Sequence, residues 1–222
     1  MQSKEIICNI NQIYEKYCVP TNVRRHMVQV AAVAKLLCEK SKTEVNSEDI
    51  IAATLIHDLG NIVKMDFNDK IKIKLLDLVD RKRLDYLRVK QKEFLEKYGS
   101  NDGITNQKIV EEIGVNEKVY YLFKHKALER EMDQKWKTNL DLMIFAYADL
   151  RVAPSGVTTL KKRLAEFAKR YDLKSDKKKW EYSCAFCDFA DGLEKVLFEN
   201  LSIKPNGVTN KSIKKYFGEY IF

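Results

Sequence analysis

In the stretch AATLIHDLGNIVK, residues 52–64, His57 and Asp58 sit side by side where an apolar run gives way to a glycine. The chain has only three histidines, so each placement carries information. His26 falls in RRHMVQVAAVAKLL and Asp149 in FAYADLRV, again within or beside runs that otherwise read as core. Burying an imidazole or carboxylate without a partner is costly, so each needs a hydrogen bond, an ion pair or a metal. Imidazole nitrogens and carboxylate oxygens together suit a divalent transition ion. Adjacent helical residues point about 100° apart, so His57 and Asp58 converge on one ion only at a helix end, where the backbone bends. Gly60, just beyond them, suits such a bend. Asp141 competes with Asp149 as the acid of the late apolar segment.

The elements that must position these groups read as helices. Eight glycines and three prolines in 222 residues leave little material for the turns of a sandwich or barrel. A first helix is predicted over Glu5–Tyr17, ending before Pro20. Thr21 or Asn22 caps VRRHMVQVAAVAKLLCEKS, where Val23, Met27, Val30, Ala31, Ala34, Leu37 and Cys38 recur at helical spacing. Asn46 or Ser47 caps the next helix, with Glu48 and Asp49 well placed against its dipole, and that helix breaks near Gly60. Residues 66–98 read as one or two charge-rich amphipathic helices that cover the site as a lid. Thr105 caps a short helix ending at Gly114, and Asn116 caps EKVYYLFKHKAL. NLDLMIFAYADLRVAP is an apolar helix stopped at Pro154, followed by two more helices and a final turn or two in TNKSIKKYFGEYIF. The expected fold is all-α, a single-domain helical bundle over 1–222. Residues 20–155 form its core and 156–222 a helical C-terminal extension packed on it.

Composition narrows the functional classes. Hydrophobic residues make up 45% and charged residues 32%, typical of a soluble globular chain. No apolar run reaches the roughly 20 residues that span a bilayer, so no membrane association is expected. Five cysteines without a framework spacing fit a reducing, cytoplasmic location. Cys184 and Cys187 form a CxxC, but no second pair or nearby His completes a zinc site. Helical spacing puts both thiols on an apolar face as structural residues. The net charge of +8 gathers in Lys161–Arg163, Lys169–Arg170 and Lys174–Lys179. Such runs are usually solvated helix faces; the functional alternative is a footprint for a polyanion, although no nucleic-acid motif accompanies them.

The order and spacing H…HD…D, with His26 before His57–Asp58 and Asp149 after, resembles the HD superfamily of metal-dependent phosphohydrolases. RRHMVQVAAVAKLL looks like that family's first motif helix, AATLIHDLGN like its HD helix and FAYADLRV like its final Asp helix. The resemblance covers residues 20–155 and implies an all-α fold, with His26, His57, Asp58 and Asp149 as ligands of one divalent ion per chain (Mn, Fe, Co, Ni, Zn or Mg). It selects Asp149 over Asp141. It also gives His125 a place in the site, as a second-metal ligand or substrate contact; the plainer reading is a surface histidine between Lys124 and Lys126. Asn61 replaces the Lys of the HDxGK version, and no acid follows the HD pair at the third or fourth position. These departures remove the best-known substrate assignments.

The expected activity is cleavage of a small phosphate ester, a nucleotide above all, by metal-activated water. Asp58 both ligates and orients the water, and Arg151 is the preferred cation for the developing charge, ahead of Arg25, Lys64 and Lys124. The alternative is a non-catalytic HD-like regulatory module that binds nucleotide or, through its basic C-terminal third, nucleic acid. A homodimer is compatible with either reading.

Overall fold

The computed structural model describes residues 1–74, 76–126, 134–173 and 175–216. Four parts of the elements expected from sequence lie outside these: Leu75, the end of EKVYYLFKHKAL, Lys174 and the tail from residue 217. The fold is all-α. Its helices are α1 (Ser3–Cys8), α2 (Ile10–Lys16), α3 (Thr21–Glu39), α4 (Ser47–Ile56), α5 (Lys70–Ile73), α6 (Leu78–Lys82), α7 (Leu84–Tyr98), α8 (Asp102–Ile113), α9 (Glu117–Lys124), α10 (Leu140–Leu150), α11 (Leu160–Arg170), α12 (Lys177–Glu199) and α13 (Asn210–Ile213). Asn9 divides what the sequence suggested as one N-terminal helix into α1 and α2.

α4 lies at the centre because beyond its first turn its sequence leaves it no polar face. Ile50–Ile56 are all buried, and a helix apolar all round belongs in a core. α1, α3, α9 and α10 pack around it. α10 is nearly as apolar, buried from Leu142 to Ala148, and joins α3, α4 and α12. Asn101, Asn116 and Asn139 each accept a backbone N–H at the start of α8, α9 and α10, the usual work of an N-cap. Asn101, not Thr105, therefore starts α8. At α3 the capping group comes from elsewhere: Pro20 precedes the helix, and the buried Asp80 carboxylate of α6 accepts from Thr21 N at 2.6 Å.

α10 does not run to Pro154. It ends at Leu150, and Val152–Ala153 (β1) pairs antiparallel with Gly156–Val157 (β2). Gly156 has φ +104°, and a Cβ there would meet Asn210 Oδ1 at 2.8 Å, so both conformation and space demand glycine. Beyond the hairpin, α11 packs on α12, and α12 on α10. The inward stripe of α12 is Ser183, Ala190, Leu193 and Leu197. Cys184 falls off that stripe and is exposed, while Cys187 is half-buried, which corrects the expectation that both thiols are core. Among the described residues no helix is long and apolar enough to cross a membrane.

Candidate metal centre

The last helical residue of α4 is Ile56; His57 is its C-cap and Asp58 lies in the turn that follows. The turn bends as the adjacent pair requires, but Gly60 serves it differently from the expected flexibility. Its φ is −89°, open to any residue, whereas a Cβ would lie 2.6 Å from Thr105 Cγ2 and 2.9 Å from Asn106 N. Glycine is there because α8 passes against the turn. Gly60 N donates to Asn106 Oδ1 at 2.6 Å, and Asn106 in turn donates to Asn61. On another side Gln91 of α7 donates to the carbonyls of Ile62 and Met65, and Arg88 to that of Phe67. Within the expected lid over 66–98, residues Arg88 and Gln91 of α7 thus buttress the segment that follows the turn.

Packing of α3, α4 and α10 brings the four expected groups together. Ligand atoms of His26, His57 and Asp58 lie within 4.8 Å of one another. Asp149 Oδ1 is 3.0 Å from His26 Nε2 and 3.6 Å from His57 Nε2, and Asp58 Oδ2 is 3.7 Å from His57 Nε2. Asp141 sits at the opposite end of α10, accepting from Asn46. His57 is 1% exposed, and its Nδ1 is 2.7 Å from the Thr54 carbonyl. With Nδ1–H donating there, Nε2 presents its lone pair to the cluster, the arrangement that orients metal-bound histidines. Among the described residues that buried Nε2 has no hydrogen-bond partner. The C-terminal ends of α4 and α10 both point here, adding negative potential to two carboxylates. Two imidazoles and two carboxylates in such a field fit a divalent transition ion.

The electrostatics agree. Burial works to lower the His57 pKa, yet the Asp58 and Asp149 carboxylates hold it above its ordinary value. Burial likewise opposes ionisation of both acids. It is outweighed at Asp58 by His57, Lys126 and His26, leaving a pKa of about 2. At Asp149, His57 and the hydrogen bond to His26 keep the carboxyl well below its usual range.

Three cations border this cluster, Lys126, Lys64 and Arg163, and of these the sequence had offered only Lys64. Arg151 is 2% exposed and donates to the carbonyls of Thr158, Pro205 and Val208 and to the Tyr147 hydroxyl, which bonds Glu194. Its guanidinium ties α10 to the hairpin and to the turn before α13, and none of these hydrogen bonds goes to the His–Asp cluster. Arg25 pairs with Asp77. His125 caps the end of α9 with its ring 4.5 Å from that of Tyr121, and its neighbour Lys126 reaches the cluster. Lys126 Nζ donates to the His57 carbonyl at 2.7 Å and stands 3.7 Å from Asp58 Oδ1. Lys64 pairs with Asp102 at 2.6 Å and also feels Asp58. Arg163, from the first basic run, is 5% exposed; burial lowers its pKa, and the Asp149 carboxylate is the leading opposing influence.

A family model for the HD domain matches residues 23–149, more than half of the chain. The chain belongs to the HD domain family. No curated protein and no solved structure matches it. HD domains typically bind divalent metals and are commonly metal-dependent hydrolases. The match begins three residues before His26 and ends on Asp149, so it contains all four converging groups. Arg163 lies beyond the HD domain match. Its sequence signal was the spacing Arg163–Phe167–Tyr171 within a run that otherwise looks solvated.

Proposed function

We propose that the chain is a metal-dependent phosphohydrolase for small phosphate esters, nucleotides above all, with His26, His57, Asp58 and Asp149 holding one divalent transition ion. The observation that carries this is the His57 ring. It is buried, fixed through Nδ1, and aims an unpartnered Nε2 at two ionised carboxylates. Such an ion supplies an acidified water and a Lewis acid for a phosphoryl oxygen. Asp58 offers Oδ2 to the cluster and Oδ1 to Lys126, so it can ligate and orient at once. Lys126, Lys64 and Arg163 make the rim cationic, which favours a dianionic ester and the charge that develops during its cleavage. Arg151 is given no part in this chemistry.

The test is phosphate release from a panel of nucleotides, with and without Mn²⁺. Metal-dependent release by the wild type, abolished in Asp58→Ala with the helical circular dichroism intact, is the expected result. Undiminished turnover in that variant would remove Asp58 and this mechanism.

A further inference from the structure

α11 is anchored beside the centre. Leu160 and Leu164 pack with Ala190 against Leu150, the neighbour of Asp149. Arg163 on the same helix is buried, with its Nη1 on Glu166 at 2.6 Å and its guanidinium 4.2 Å from the centre of the Phe167 ring. Its Nε has no acceptor among the described residues. A charged donor in that condition is costly unless something else accepts from it, and beside a phosphohydrolase centre the fitting acceptor is a phosphoryl oxygen. Phe167 stacks on Tyr171 at 5.6 Å and 21°, and Tyr171 is 51% exposed. Residues 163 and 167 share one face of the helix, and Tyr171, its C-cap, continues the row through its stack on Phe167. Tyr171 also acts on Lys64, which itself feels Asp58. The row therefore starts at a residue that feels Asp149 and ends at one whose charge is felt by a cation of the same rim.

We propose that this face of α11 is the recognition wall of the centre: Arg163 takes a phosphoryl oxygen through Nε, and Tyr171, backed by Phe167, stacks the base of a single nucleotide. The inference rests on the phosphohydrolase reading and narrows its substrate class. One half-exposed ring beside a buried guanidinium accommodates one base and its phosphate, and stacking is tolerant of base identity. Discrimination is thus expected between nucleotides and base-free esters, with little among the bases.

The experiment compares adenosine monophosphate with ribose 5-phosphate, an ester that lacks a base, in Tyr171→Ala, Tyr171→Phe and Arg163→Met. The wild type should prefer the nucleotide in kcat/KM. Tyr171→Ala should cut that preference about tenfold, mainly through KM, and Tyr171→Phe should restore it. Arg163→Met should lower kcat/KM for both esters by about tenfold or more, with helical content and bound metal retained. An unchanged preference in Tyr171→Ala overturns the wall. If the wild type hydrolyses neither ester with any metal, the phosphohydrolase reading fails, and calorimetric binding of adenosine monophosphate decides the wall separately. Affinity weakened about tenfold by Tyr171→Ala would support it; equal affinity, or no binding to the wild type, would overturn it. Tight binding of a single-stranded oligonucleotide with a steep salt dependence, in preference to the mononucleotide, would also overturn it.

Discussion

Arg151→Ala separates a scaffold role from a chemical one. The guanidinium is buried and donates to three backbone carbonyls and one hydroxyl. Truncation leaves the Thr158, Pro205 and Val208 carbonyls without it, while Tyr147 keeps Glu194. A hydrogen bond to a charged donor contributes about 1.5–3 kcal/mol, and acceptors that share one donor relax together, so we expect a total loss of about 3–5 kcal/mol. For a chain of this length each kcal/mol moves Tm by about 2–4 °C, which gives a drop of about 6–20 °C. Thermal unfolding followed by circular dichroism reads that shift. Phosphate turnover, measured well below the lowered Tm, should stay within about twofold of wild type, since no reacting group is touched. A Tm within about 2 °C of wild type would refute the reasoning. Turnover lost at unchanged Tm would return Arg151 to the chemistry.

Gly60→Ala forces a methyl group to within 2.6 Å of Thr105 Cγ2 and 2.9 Å of the Asn106 backbone. It should lower stability by about 1–3 kcal/mol in urea unfolding, and an unmoved midpoint would contradict the close approach of α8. Acid sensitivity offers a further check. Asp58 is held at about 2 against an ordinary 3.8, so its contribution is full above 3.8 and is lost as pH falls through the folded value. Asp58→Asn should flatten the acid limb of the stability curve measured in chelator; superimposable limbs would show that the carboxylate is not held as described.

The candidate metal centre was legible because its groups violate their surroundings. His26, His57–Asp58 and Asp149 each interrupt an apolar pattern, and such interruptions are visible in one dimension. Asp149 could be preferred to Asp141 only through the family motif, and the structure places Asp141 at the far end of α10, bonded to Asn46. Cations were harder because the sequence is full of them. Arg151 looked promising as the extension of a motif helix, yet α10 stops one residue earlier and the hairpin and the turn at 205–208 close over it. Lys126 and Arg163 resembled surface charge; only the return of their segments to the cluster distinguishes them. Caps showed the same limit. Asn116 was readable from its own neighbours, whereas Asp80 caps α3 across 59 positions of chain, and local pattern contains nothing of that.

The four converging groups are drawn from segments far apart in the chain, and this affects which ion they can acquire. Until α3 and α10 dock on α4, a growing polypeptide offers only His57 and Asp58 together, and neighbours on a helix are poor chelators. Asp149 follows Asp58 by 91 positions, so most of the domain must be synthesised before the fourth group arrives. Free thiols and imidazoles on an unfolded chain would favour copper or zinc simply by their place in the affinity order. Here the assembled cluster presents its donors at spacings of 3.0–3.7 Å, and on the proposed reading selection passes from the raw affinity of loose side chains to the dimensions of a finished site. On the proposed reading, acquisition is a post-folding event, governed by which ions the compartment makes available at that moment.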